Sequence, residues 1–115
     1  PHFLGPERLP VFYWRKGAAA LEEMPDLFAA VARCGLPMTP VRCGGGDRVA
    51  QEREQWSSGC NFVALRPGLV LSYERNERTL AELAAAGFRI VRAEALLAGD
   101  DAVGSDARAV VTFRG

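Results

Sequence analysis

Two apolar runs joined by a Pro-Gly pair constrain the fold of this chain more than any other feature. The runs are residues 61–65 and 69–73, with Pro67-Gly68 between them. Pro67 presets φ at the first central position of a turn, and Gly68 can take positive φ at the second, the chemistry of a type II turn. A β-hairpin is the expected product. Both runs are nearly continuous in apolar residues rather than alternating, so both faces of the hairpin are expected to be buried. Such a sheet has to be covered by other layers.

The remaining segments supply candidates for those layers. Residues 11–15 are rich in aromatics and β-formers and predict a strand; residues 17–20 predict a connector. A helix is expected over residues 25–34, with Pro25 in its first turn, Leu27, Phe28, Val31 and Ala32 as its apolar stripe, and Gly35 as its stop. Residues 38–42 predict a short strand. A second helix is expected over residues 77–86, with Leu80, Leu83 and Ala84 inward and Gly87 at its end. Strands follow at residues 88–91 and 109–113, with a helical turn at 93–97 and a loose exposed loop at 99–106. Residues 1–9, broken by Pro1, Gly5 and Pro6, predict an irregular lead-in before Pro10. The order β-α-β-loop-β-β-α-β-loop-β is an α/β (α+β) pattern, and the recurring strand–helix–strand triplet hints at a repeated module.

The length of 115 residues predicts a single domain or a fragment of one. Fourteen basic residues balance fourteen acidic ones, so no net field draws in nucleic acid or an anionic membrane. No apolar run has the length of a membrane span, and nothing near Pro1 has the form of a signal peptide. The first residue is not an initiator methionine, which predicts processing or a piece of something longer. Cys34, Cys43 and Cys60 are widely spaced, no Cys-x-x-Cys pair occurs, and His2 is the one histidine. That pattern argues against a zinc site and predicts a reducing, cytoplasmic setting.

Few residues offer chemistry. In the loop Cys43-Gly44-Gly45-Gly46-Asp47, the glycines permit close backbone approach to a ligand, and Asp47 is a weak candidate for substrate binding. The loop lacks the Gly-Lys-Ser/Thr of a phosphate loop, and the favoured reading makes Asp47 the cap of a following helical turn. The charged run through Arg53, Glu54 and Trp56 predicts a helical turn with one solvated face and Trp56 packed inward. Arg53 and Glu54 could instead hold two modules together through a charged pair. Around the hairpin stand Asn61, Tyr73, Arg75 and Asn76. Arg75-Asn76 could hold a carboxylate, but Asn76 reads more strongly as the N-cap of the helix starting at Glu77. A nucleophilic cysteine needs a base and an orienting group nearby. His2 sits among breakers at a terminus, and Cys34 reads as a small core residue.

Residues 43–92 resemble the last module of the arginine deiminase family. The family pattern runs Gly-Gly-Asn/Asp, Glu-Arg-Glu-Gln-Trp and Gly-Asn-Asn, then a Pro-Gly-Val-Val hairpin, Tyr-Asp/Glu-Arg-Asn and a Leu-rich helix ending in Ala-Gly. Here the matching residues are Gly45-Gly46-Asp47, Glu52 to Trp56, Gly59-Cys60-Asn61, Pro67 to Val70, Tyr73 to Asn76, and Leu80 to Gly87. Order and spacing agree throughout, whereas residues 1–42 agree only in outline.

The resemblance implies one or two ββαβ modules of a five-module α/β propeller. It implies a parent hydrolase that converts arginine and water to citrulline and ammonia, with no metal or organic cofactor. In the family a cysteine attacks the guanidinium carbon, a His-x-Asp pair handles protons, and further acids grip the guanidinium nitrogens. None of these catalytic residues maps onto this chain. The nucleophile belongs to a Gly-rich segment expected just past Gly115, and the His-x-Asp lies upstream of the matched region. Cys60 stands where the family has Asn, and Gly44 stands where a related loop carries its catalytic Glu. Arg53, Glu54, Trp56, Asn61, Tyr73, Arg75 and Asn76 are then structural signature residues. The expected function is that of a C-terminal portion, inactive alone and prone to self-association through unpaired module edges. Rival readings are a non-catalytic binding protein on the same propeller, an amidinotransferase or a dimethylarginine hydrolase.

Overall fold

The structure, a computed structural model, describes residues 9–115. The irregular lead-in expected over residues 1–9, and His2 with it, falls almost wholly outside the described residues. The described chain mixes helices and two sheets, as the α+β pattern requires. It divides into two compact units, residues 1–40 and 41–115.

In the first unit, strand β1 (Val11–Tyr13) pairs antiparallel with β2 (Glu22–Met24), with Val11 opposite Met24. Helix α1 (Leu27–Arg33) follows. It starts later than expected, because Asp26 is a better cap than Pro25: the Asp26 carboxylate accepts from the Ala29 N–H at 2.8 Å. Gly35, at φ +82°, ends the helix as anticipated. The expected apolar stripe is not buried. Leu27 and Phe28 are exposed and only Ala30 is covered, since two three-residue strands offer little surface to pack on. Cys34, expected in a core, is also exposed. Residues 38–42 form no strand. Pro40 in their middle has no N–H for a ladder.

The second unit is built on a four-stranded sheet in the order β3-β4-β6-β5. Strands β3 (Val63–Arg66) and β4 (Leu69–Tyr73) are the two arms of the expected hairpin. Gly68 has φ +79°, the left-handed value that the second turn position demands. Its carbonyl accepts from Ala109 N at 2.8 Å and so ties the turn to the last strand. Strand β5 (Arg89–Arg92) and strand β6 (Ala109–Phe113) complete the sheet. β6 lies between β4 and β5 and runs parallel to both, with Val110 level with Val70 and Ile90.

Helix α3 (Glu77–Ala85) crosses from β4 to β5 and buries Leu80 and Leu83 on Val110, with Val70 and Phe88 packed around them. Ala84, expected on the inner face, is exposed. The short helix α4 (Ala93–Ala98) lies against β5 and β6. The expected burial of both hairpin faces holds in part for β4, where Ser72 is buried and its neighbours are half-buried. It fails for β3. As an edge strand β3 leaves Val63 and Leu65 more than half exposed, because it pairs with β4 alone. The loop at residues 99–106, expected to be loose, is tied down by two arginines. Arg66 donates to Gly104 O at 2.6 Å, and Arg89 bonds Asp101 at 3.0 Å.

Candidate functional site

Helix α2 (Arg48–Trp56) carries the charged run. Asp47 is its N-cap, as expected, with Oδ1 accepting from Ala50 N at 2.8 Å. The glycine loop before it is tight. Gly44, at φ +71°, places its Cα where a Cβ would meet the Gln51 Cα at 2.4 Å. No other residue fits there.

The face of α2 that turns inward is not the expected one. Trp56 is 88% exposed, and Glu54 is fully buried. Ala50 and Glu54 are one helical turn apart and share the buried face. Trp56, two residues further on, therefore points to the opposite side.

The Glu54 carboxylate enters the first turn of α3. It accepts from Arg78 N at 2.9 Å, from Thr79 N at 2.8 Å and from Thr79 Oγ1 at 2.7 Å. Arg53 adds a longer bond at 3.3 Å. The expected charged pair is therefore present but secondary. It joins neighbours on one helix, while the tie between elements is made by backbone donors. Burial alone would push the Glu54 pKa up, but the bonds from Thr79, Arg78 and Arg53 outweigh it and hold the carboxyl below its ordinary range.

Asn76 occupies the N-cap position of α3, but its side chain makes no capping bond. Glu54, distant in sequence, satisfies two orphan N–H groups of that helix instead. Asn76 is free for another partner. Its Oδ1 accepts from Ser57 Oγ at 2.5 Å, and its Nδ2 donates to Ser57 O at 3.2 Å. Ser57 is the C-cap of α2, so the end of one helix is clasped to the start of the next. Arg75 donates to the same Ser57 carbonyl at 3.3 Å, and its guanidinium lies 4.0 Å over the Tyr73 ring. Tyr73 in turn packs on Phe113, with ring centroids 4.8 Å apart. Arg75-Asn76 thus holds a carbonyl rather than the carboxylate considered from sequence. Asn61 bonds through its backbone to Ser58 in the turn before β3.

Thr79 and Ser57 are the residues that sequence reading missed. Thr79 Oγ1 accepts from Gly44 N at 2.9 Å and lies 3.5 Å from Cys43 Sγ. The i, i+4 spacing of Ala50 and Glu54 was the available signal for the inward face. No local pattern marks Thr79 as the partner.

Two clefts open beside this junction. One, of about 310 Å³, is lined by Arg53, Ser57, Arg75 and Glu77. The other, of about 190 Å³, lies along β3 and β4 between Asn61, Phe62, Leu71 and Phe113. Among the described residues no cluster of three or more His, Cys, Asp or Glu could hold a metal ion. Among them no helix is long and apolar enough to cross a membrane.

The sequence profile of the family described as arginine deiminase matches residues 21–96. An arginine deiminase of Mycoplasma capricolum is 53% identical over 57 residues, covering 50% of this chain and 14% of the relative. One of Rhodococcus jostii is 43% identical over 77 residues, covering 67% and 19%. One of Rhodococcus erythropolis is 39% identical over 89 residues, covering 75% and 22%. The chain thus spans only about a fifth or less of these relatives. No solved structure matches. The glycine loop, the Glu54 junction and the hairpin all fall inside the matched stretch, and the chain belongs to the arginine deiminase family.

Proposed function

We propose that this chain forms a wall of an arginine deiminase-like hydrolase, acting in the cytoplasm to convert arginine and water to citrulline and ammonia. The observation that carries the reading is the family match over residues 21–96, joined by relatives that bear the same name. The geometry supports a scaffold role for the matched motifs. The Glu54 carboxylate already accepts from Thr79, Arg78 and Arg53, so it has neither the access nor the raised pKa of a general base. Arg53, Arg75 and Asn76 bind neighbouring main chain and side chains, and Tyr73 serves as a stacking platform.

Asp47 is the residue of this chain best placed to meet a cationic substrate. One oxygen caps α2, and the exposed carboxylate keeps a second oxygen for a guanidinium. In the complete hydrolase, Asp47→Asn retains the cap and removes the charge. We expect it to raise KM for arginine while leaving the folded structure intact.

The test is citrulline formation from arginine. The whole protein is expected to form it, and the 115-residue chain alone is not. Citrulline from the isolated chain would overturn the scaffold role. A whole protein that acts only on methylated arginines, or only transfers an amidino group, would overturn the substrate assignment.

A further inference from the structure

Cys43 opens the glycine loop before α2, and Cys60 lies in the turn after it. The segments that flank that helix approach each other at Cys43 and Gly59. Cys43 Sγ lies 2.8 Å from where a Cβ on Gly59 would stand, so it rests against the backbone beside Cys60. Burial first, and then the neighbouring Cys43, push the Cys60 thiol up. Neither residue is fully buried: Cys60 is exposed and Cys43 half-buried. The proton of the Thr79 hydroxyl is drawn to Glu54 at 2.7 Å rather than to Cys43 Sγ at 3.5 Å, so the sulfur is not committed to another bond.

We propose that Cys43 and Cys60 are a redox pair that closes to an intramolecular disulfide across the two ends of α2 on exposure to a small disulfide oxidant. Oxidised glutathione is a sufficient co-reactant. One protein thiolate attacks a glutathione sulfur, the oxidant's S–S bond breaks, and one glutathione leaves as a thiolate. The second protein thiolate then attacks the protein sulfur of the mixed disulfide and expels the other glutathione. Two electrons pass from the cysteine pair to the oxidant. The two protons given up by the protein thiols end on the two released glutathiones. The product is a covalent brace parallel to the Glu54 tie, closing the loop that contains all of α2.

Incubating the reduced chain with oxidised glutathione near neutral pH tests this. Non-reduced peptide mapping should show a Cys43–Cys60 cross-link and an intact mass lower by two hydrogen atoms. The thermal midpoint should rise by several degrees and return on reduction. Cys43→Ser and Cys60→Ser should each abolish the cross-link and the rise, and Cys34→Ser should keep both. In Glu54→Gln, the oxidised form should recover part of the lost midpoint. A persistent glutathione adduct on either cysteine, a cross-link through Cys34, an unchanged mass, or a cross-link that leaves the midpoint unmoved would each overturn the proposal.

Discussion

Glu54 is a buried carboxylate whose partners are almost all donors on a different helix. Removing the charge while keeping the shape leaves those donors facing an amide. Glu54→Gln should therefore lower stability by about 2–3 kcal/mol, read from denaturant unfolding. Thr79→Val keeps the backbone donor and removes the hydroxyl, and should cost about half as much. The carboxyl titrates lower in the folded chain than in the unfolded chain. The unfolded state then holds more protons wherever the two differ, so stability rises with pH through that window. The Glu54 contribution is complete above the ordinary carboxylate range and is lost as pH falls through the depressed folded value. Acid titration of unfolding should show this loss in the natural chain and a weaker one in Glu54→Gln.

At the scale of elements, α2 depends on how it begins. Asp47→Ala removes a side-chain cap and should cost about 1 kcal/mol. Gly44→Ala forces a Cβ into left-handed backbone and into Gln51 at 2.4 Å. It should cost about 3 kcal/mol or more. Circular-dichroism melts of the two variants would rank them, and a Gly44→Ala chain as stable as the natural one would contradict the tight-loop account. The elements that sequence reading places well are those fixed by local chemistry. They are the Pro67-Gly68 turn, the Asp47 cap, and the helix over residues 77–85 with its Leu80 and Leu83 face. The misplaced features were decided by non-local contacts. Trp56 turns outward because Ala50 and Glu54 claim the covered face, and Glu54 belongs there only because α3 presents its orphan N–H groups. β3 is exposed because it is an edge, a property of strand order that its own residues do not encode. The candidate site was legible as a set of residues. Its wiring through Thr79 and Ser57 was not.

Within residues 41–115 the sheet is bounded by β3 and β5 as its edge strands. On β3, Val63 and Leu65 are exposed, and among the described residues the strand pairs with β4 alone, the arrangement that templates pairing with another chain. The isolated chain should self-associate at micromolar concentration, and Leu65→Lys should shift it toward monomer in light scattering. A natural chain that stays monomeric would count against this.

Strand β6, which lies between β4 and β5, follows both of them in the chain. During synthesis, β4 and β5 therefore have no common partner until residues 109–113 have cleared the ribosome. Until then the Leu80–Leu83 face of α3 lacks Val110 to rest on. The sheet closes by insertion rather than by sequential addition, so this apolar face stays uncovered until β6 has emerged. Nascent chains arrested before Ala109 should be cut readily by protease, and chains with β6 fully emerged should become resistant together across residues 41–115.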